Sequence, residues 1–167
     1  SAFNNGGFSL FPNSLMSFHD KYFITFTISM LYIIGGIGFV VLMDIKRAKR
    51  WKKLSANSKL IISTIAGLNL VAFILLWAIE ANNPLTLAPM SMGDQALNAW
   101  FHATVPRSSG FNSLELNNMS DASTLVTMIL MFIGGGSLST AGGIKVGTFI
   151  IVVLSVILIF SVVLPAF

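Results

Sequence analysis

The sequence predicts an all-α membrane protein, built from repeats of transmembrane helix, re-entrant pore loop and transmembrane helix, with one inner helix broken by glycines. Three observations carry that expectation. Hydrophobic residues make up 54% of the chain and charged residues 10%, with 14 Phe in 167 residues and a mean hydropathy of +0.82, which is unlike a soluble domain. Two uncharged apolar runs, Tyr22 to Met43 and Leu60 to Ile79, are each long enough at about 1.5 Å per residue to cross a hydrocarbon core of about 30 Å. Third, Gly134, Gly135, Gly136, Gly142 and Gly143 fall within ten residues of an otherwise apolar stretch, MFIGGGSLSTAGGIKVGTF.

Taken in order, the chain opens SAFNNGGFSLF with no initiator methionine, and reads as a piece of a longer protein. After the turn-like Phe11, Pro12, Asn13 and Ser14, a first helix is expected from about Lys21 to Asp44. Its Gly35, Gly36 and Gly38 form a small-residue face suited to close helix packing. Lys46, Arg47, Lys49, Arg50, Lys52, Lys53 and Lys59, seven of the ten basic residues, crowd the next connection. Short loops rich in Lys and Arg stay on the cytoplasmic side, so orientation explains them better than a specific binding patch, and nucleic acid is not expected as a partner.

A second helix is expected from about Ser58 to Glu80, with Asn69 near its middle placed to bond a neighbouring helix. Asn82, Asn83 and Pro84 end it. Asp94 is the expected N-cap of a short segment, Gln95 to Thr104, too short to cross a membrane. Pro106 and Gly110 both resist continuing a helix, so the chain is expected to return extended through VPRSSGFN, from Val105 to Asn112. A strand lined by carbonyls suits a cation filter, because backbone oxygens can replace an ion's water shell.

The glycine-rich stretch follows. Five interior glycines disfavour a helix by roughly 5 kcal/mol, and unwound backbone at bilayer depth is tolerated only inside protein or beside a wet cavity. The stretch is therefore a candidate wall or gate of an ion path, against the alternatives of close packing and of a phosphate cradle. A cradle needs Gly-Lys-Ser/Thr, and here Ile144 separates Gly143 from Lys145. Lys145, the only charge after Asp121, is expected to find acceptors among the loop's carbonyls; snorkelling toward the cytoplasmic interface is the alternative. There are no cysteines, so neither a disulfide framework nor a thiolate metal site is available. His19 and His102 suggest no metal site.

An internal repeat links these parts. NGGFS (Asn5 to Ser9) and SSGFN (Ser108 to Asn112) share Gly-Phe and a small polar residue, with Gly7 and Gly110 separated by 103 positions. The triplet GGI recurs at Gly35 and Gly142, an offset of 107, so the second copy carries about four extra residues in its broken inner helix. Residues 1–57 then form the filter strand, inner helix and basic cytoplasmic loop of one pore repeat, and 58–167 the complete following repeat.

SAFNNGGFSL, RSSGFNS and above all GGGSLSTAGGIK resemble the superfamily of Trk, Ktr and HKT potassium transporters, most closely the Ktr membrane subunit. In that family four repeats surround one pore and a glycine from each lines the filter. The resemblance implies a filter of Asn5, Gly6, Gly7 and Phe8 with Ser108, Ser109, Gly110, Phe111 and Asn112, with K+ at the Gly7 and Gly110 backbone. It implies a gate of Gly134, Gly135, Gly136, Ser137, Ser139, Thr140, Gly142, Gly143 and Lys145. The third filter of the family more often reads Arg-Thr-Ala-Gly-Phe-Asn, so Ser108 and Ser109 depart from it, as does Gly6, where Ala is usual. The expected function is potassium uptake across the inner (plasma) membrane by a multi-pass protein, with potassium as substrate, sodium as an activator, no covalent cofactor and no enzymatic step. Expected partners are membrane lipid, a second copy in a homodimer and a cytoplasmic nucleotide-binding regulatory subunit. Two other classes compete: a secondary transporter of another small solute or ion using an unwound-helix site, and a structural subunit whose glycines only pack helices.

Overall fold

The computed structural model describes residues 1–18, 20–105, 107 and 110–163, with residues 162 and 163 described by backbone alone. Ser108 and Ser109 of the expected filter lie outside the described residues, as do Pro106 and His19. Among the described residues the regular structure is helical, with one isolated parallel bridge, Ile133 to Ile144. The principal helices are α1 (Tyr22–Ile37), α2 (Phe39–Ala48), α3 (Ala56–Glu80), α4 (Met92–Thr104), α5 (Asp121–Phe132) and α6 (Val146–Val163).

The expected first helix is two helices. α1 and α2 are bent by 93° at Gly38, whose φ of 100° and ψ of 144° lie where a side chain is strained. A Cβ on Gly38 would also collide with Ser137 O, so the bend and the glycine-rich loop occupy one place. α2 closes at Lys49 in a left-handed cap whose N–H bonds Ile45 O.

α3 begins two residues before the expected Ser58. Ser55 is the reason: its Oγ accepts from Ser58 N at 3.2 Å, while its own N and Oγ donate to Asp44 Oδ2 at 3.0 and 2.8 Å. One serine thus caps α3 and ties it to the end of α2. At 25 residues, α3 spans roughly 37 Å and is long and apolar enough to cross a membrane by itself; the bent pair of α1 and α2 has the length and apolarity either of a broken span or of a re-entrant loop.

The N-cap of α4 is Ser91 rather than Asp94. Ser91 Oγ accepts from Asp94 N at 3.3 Å and donates to Asp94 Oδ2 at 2.7 Å, so the aspartate sits inside the first turn as the partner of the cap. At 13 residues α4 is short, and it packs against α3 and α1 with its last turns buried from Phe101 to Thr104. Its end joins Leu15, Tyr32, Val105 and Phe111 in one cluster, which gathers the N-terminal segment, α1 and the chain returning from α4.

Buried Glu80 holds the end of α3 to the start of α5. Its carboxylate accepts from Ser120 N and Oγ at 2.9 and 2.7 Å, from Asn83 Nδ2 at 2.7 Å, and from Thr86 Oγ1. Ser120 in turn caps α5 through Ser123 N at 3.3 Å. α6 lies apart from these clusters for most of its length, with Ile151, Leu154, Ile157, Leu158 and Phe160 exposed.

Candidate functional site: two loops around a buried arginine

The backbone that breaks the helical pattern collects at one end of α4. Residues 133–146 form a loop closed at its neck: Gly134 N donates to Ile144 O, Ile144 N to Phe132 O and Val146 N to Gly135 O, each at 2.9 Å. Val41, Ile61, Ile65, Ile133 and Val146 pack beneath that neck, so α2 and α3 support both of its strands. From there the loop crosses the α1–α2 bend. Gly136 N donates to Gly36 O at 2.8 Å, Phe39 N to Leu138 O at 3.3 Å, and Thr140 Oγ1 lies 3.3 Å from Phe3 O and 3.4 Å from Gly35 O.

These contacts change the meaning of two sets of glycines. Gly35, Gly36 and Gly38 do not face another helix; they receive Phe3 and the loop itself. Gly134 and Gly136 are obligatory because a Cβ would strike Gly142 O and Ile37 O respectively, whereas Gly142 faces open space. The tip is more open than the neck, with Ser137, Leu138 and Thr140 exposed, Ser139 half-buried, and Gly134 to Gly136 buried. Gly143 turns the chain at φ 74°, and Lys145 Nζ donates to Ala141 O, a loop carbonyl, at 2.6 Å.

Of the two segments expected to form a filter, residues 5–8 and 110–112 are described. Asn5 and Gly7 adopt φ of 52° and 64°, with Asn5 N bonded to Ala2 O at 3.0 Å and Gly6 N to Ser1 O at 3.2 Å. With its nitrogen turned toward them, the Asn5 amide donates to Tyr32 O and Ala2 O, both at 3.2 Å. Phe8 is exposed and Phe111 is buried, so the two matching aromatic positions differ. Asn112 O accepts from Leu15 N at 3.1 Å and Asn112 N donates to Ser14 Oγ at 3.1 Å, which seats the returning chain on the N-terminal segment. Leu114 N donates to buried His102 Nε2 at 3.2 Å. A Cβ on Gly110 would meet nothing within 4 Å.

Arg107, the sole basic residue between Glu80 and Lys145, is the residue about which these pieces converge. Its side chain is 7% exposed. Nε donates to Ile133 O at 3.2 Å, Nη2 to Gly134 O at 2.6 Å, and Nη1 to Asn69 Oδ1 at 2.8 Å. Asn69 therefore does bond a neighbouring element, though that element is the turn after α4. Beside the guanidinium lies a cavity of about 20 Å³ lined by Asn5, Tyr32, Asn69, Arg107 and Gly134 among others, room for about one water. The signal that pointed to this site was available: an arginine in an apolar chain must find acceptors, and the mid-helix asparagine was one.

A family profile described as TrkH, cation transport protein, matches residues 1–162. The chain belongs to the TrkH family. It is accordingly a membrane protein, and the apolar exterior of α6 is what a lipid-facing or subunit-facing helix requires. Among relatives of this TrkH-family chain, the Ktr system potassium uptake protein B of Bacillus subtilis is 43% identical over 157 residues, covering 94% of this chain and 35% of that protein. The protein of the same name from Vibrio alginolyticus is 42% identical over 153 residues, covering 89% and 33%. The fold is similar to the crystal structure of the potassium transporter TrkH from Vibrio parahaemolyticus, with a TM-score of 0.73 over 92% of this chain and 32% of that one at 23% identity. The chain spans about a third of the length of the relatives it matches.

Proposed function

We propose that this chain supplies part of a potassium uptake pathway across the cell's inner (plasma) membrane, with Asn5 to Phe8 and Ser108 to Asn112 as two segments of an ion filter and residues 134–145 as its gate. The observation that carries the reading is the loop pinned by backbone bonds across the α1–α2 bend, with Asn5 and Arg107 lining one cavity beside its neck. Carbonyls near Gly7 and Gly110 replace water around the ion. The membrane potential drives the movement, worth about 2.3 kcal/mol per charge per 100 mV, so no covalent chemistry is needed. The division at residue 57 into two repeats, a homodimer and sodium activation belong to the same proposal, as does a cytoplasmic nucleotide-binding subunit, for which the support is that relatives are named as parts of a Ktr system.

The test is to delete Ser137 to Ser139 in the full-length protein and measure potassium flux in vesicles. Deletion removes the Leu138 acceptor and draws Thr140 off Gly35 and Phe3, a loss of about 2 kcal/mol of bonds holding the closed form. Flux per inserted molecule is expected to rise roughly tenfold or more. Shortened protein that inserts and conducts no faster than the parent refutes the gate.

A further inference from the structure

We propose that Arg107 is a positioning residue that couples the ion filter to the gating loop. The inference deepens the function proposed above and rests on that reading. Its backbone stands three residues before Gly110, in the turn that leads from α4 into the returning segment. Its side chain reaches the gate at the point where the loop leaves α5: Ile133 is the residue that closes α5, and Arg107 bonds the carbonyls of Ile133 and Gly134.

Carbonyls at the end of a helix lack intrahelical partners and carry the negative end of its dipole, so a cation there is held both by hydrogen bonds and by the helix field. The third arm of the guanidinium bonds Asn69 in the middle of α3, the longest helix of the chain. Thus one rigid planar group joins the filter turn, the neck of the loop and the span that supports both. Because Asn5 lines the cavity on which the guanidinium borders, the first filter segment meets the same node.

No salt bridge to Arg107 is formed among the described residues, and every acceptor is neutral. A counter-charge is therefore absent from the contact, and what holds the side chain is the match of three donors to three fixed oxygens. A lysine keeps the charge but cannot present a planar fork with Nε, Nη1 and Nη2 in fixed relation. Any opening that carries the neck away from α4 either breaks these bonds or drags residue 107, and with it the filter turn.

The experiment uses the full-length protein in vesicles, with potassium and sodium fluxes normalised to the amount inserted. Arg107→Lys and Arg107→Gln are placed both in the parent and in the protein lacking Ser137 to Ser139. In the parent, each is expected to raise potassium flux roughly tenfold, the order expected when charge-assisted hydrogen bonds are lost, and to lower potassium-over-sodium discrimination. In the shortened protein the obstruction is already gone, so the flux gain disappears while the loss of discrimination persists. A merely structural role lowers the amount inserted and leaves flux and discrimination per molecule unchanged, which overturns the proposal. So does an equal flux gain in both backgrounds. If the deletion alone does not raise flux, the gate itself fails, and the coupling fails with it. Should the Arg107 variants not accumulate, Asn69→Leu removes one anchor and keeps the guanidinium; unchanged flux and discrimination there overturn the coupling.

Discussion

Among the glycines, chemical identity says less than what stands opposite. Gly136 has Ile37 O where a Cβ would go, while Gly142, six residues on in the same motif, has nothing within 4 Å. Gly136→Ala is therefore expected to push the loop off the α1–α2 bend and to lower thermal stability in detergent by about 1–3 kcal/mol, the usual cost of overpacking. Gly142→Ala is expected to be neutral in the same melting assay. Equal melting temperatures for the two variants would refute the packing assignment. Gly110 resembles Gly142 in having open space where a Cβ would go, so Gly110→Ser is expected to leave the amount of inserted protein unchanged. Its effect is expected on the ion, as a fall in the potassium-to-sodium uptake ratio; an unchanged ratio removes Gly110 from the filter.

Caps and clasps decide how the helices meet. Ser55, Ser91 and Ser120 begin α3, α4 and α5, and two of them also hold a carboxylate from elsewhere: Ser55 holds Asp44 and Ser120 holds Glu80. Glu80→Leu strands the donors of Ser120, Asn83 and Thr86 around an apolar side chain. It is expected to cost roughly 3 kcal/mol, measured as a lowered melting temperature with no change in ion ratio for the protein that remains folded. Lys145 acts on the loop as an element, since its bond to Ala141 O at 2.6 Å braces the exposed side of the neck. Lys145→Met is expected to raise potassium flux a few-fold, less than deletion of the tip, because one bond of about 1 kcal/mol or slightly more is lost. A flux equal to or below the parent's contradicts the brace.

At the scale of the molecule, the charge distribution orients the chain. Seven basic residues lie at 46–59, and Arg107 is the only one between Glu80 and Lys145, with its charge consumed inside the fold. The first connection is expected to be cytoplasmic and the 81–121 region external. Ser55 and Ser91 are poor positions for a labelling cysteine, since both are caps. Exposed Lys53 and Leu85 disturb nothing. An impermeant thiol reagent applied to intact cells is expected to label a cysteine at 85 and not one at 53, and the reverse pattern overturns the orientation.

Length and local composition were enough to identify α3, the short α4 and the unwound stretch after Phe132, because each depends on what neighbouring residues do to one another along the chain: apolar runs bury together, serines cap, and clustered glycines unwind. They were enough also for the family, whose motifs are contiguous. What sequence did not reveal depends on approach from a distance. Gly38 bends α1 into α2 because Ser137, about a hundred positions away, arrives against it. Gly35 and Gly36 read as a helix-packing face because small residues at helical spacing are indistinguishable from a seat for a loop until the loop is in place. Nothing adjacent to Arg107 in sequence needs a cation; its acceptors come from Asn69, Ile133 and Gly134. A buried charge is satisfied by whichever oxygens the tertiary fold brings within reach, and only the folded chain decides which those are.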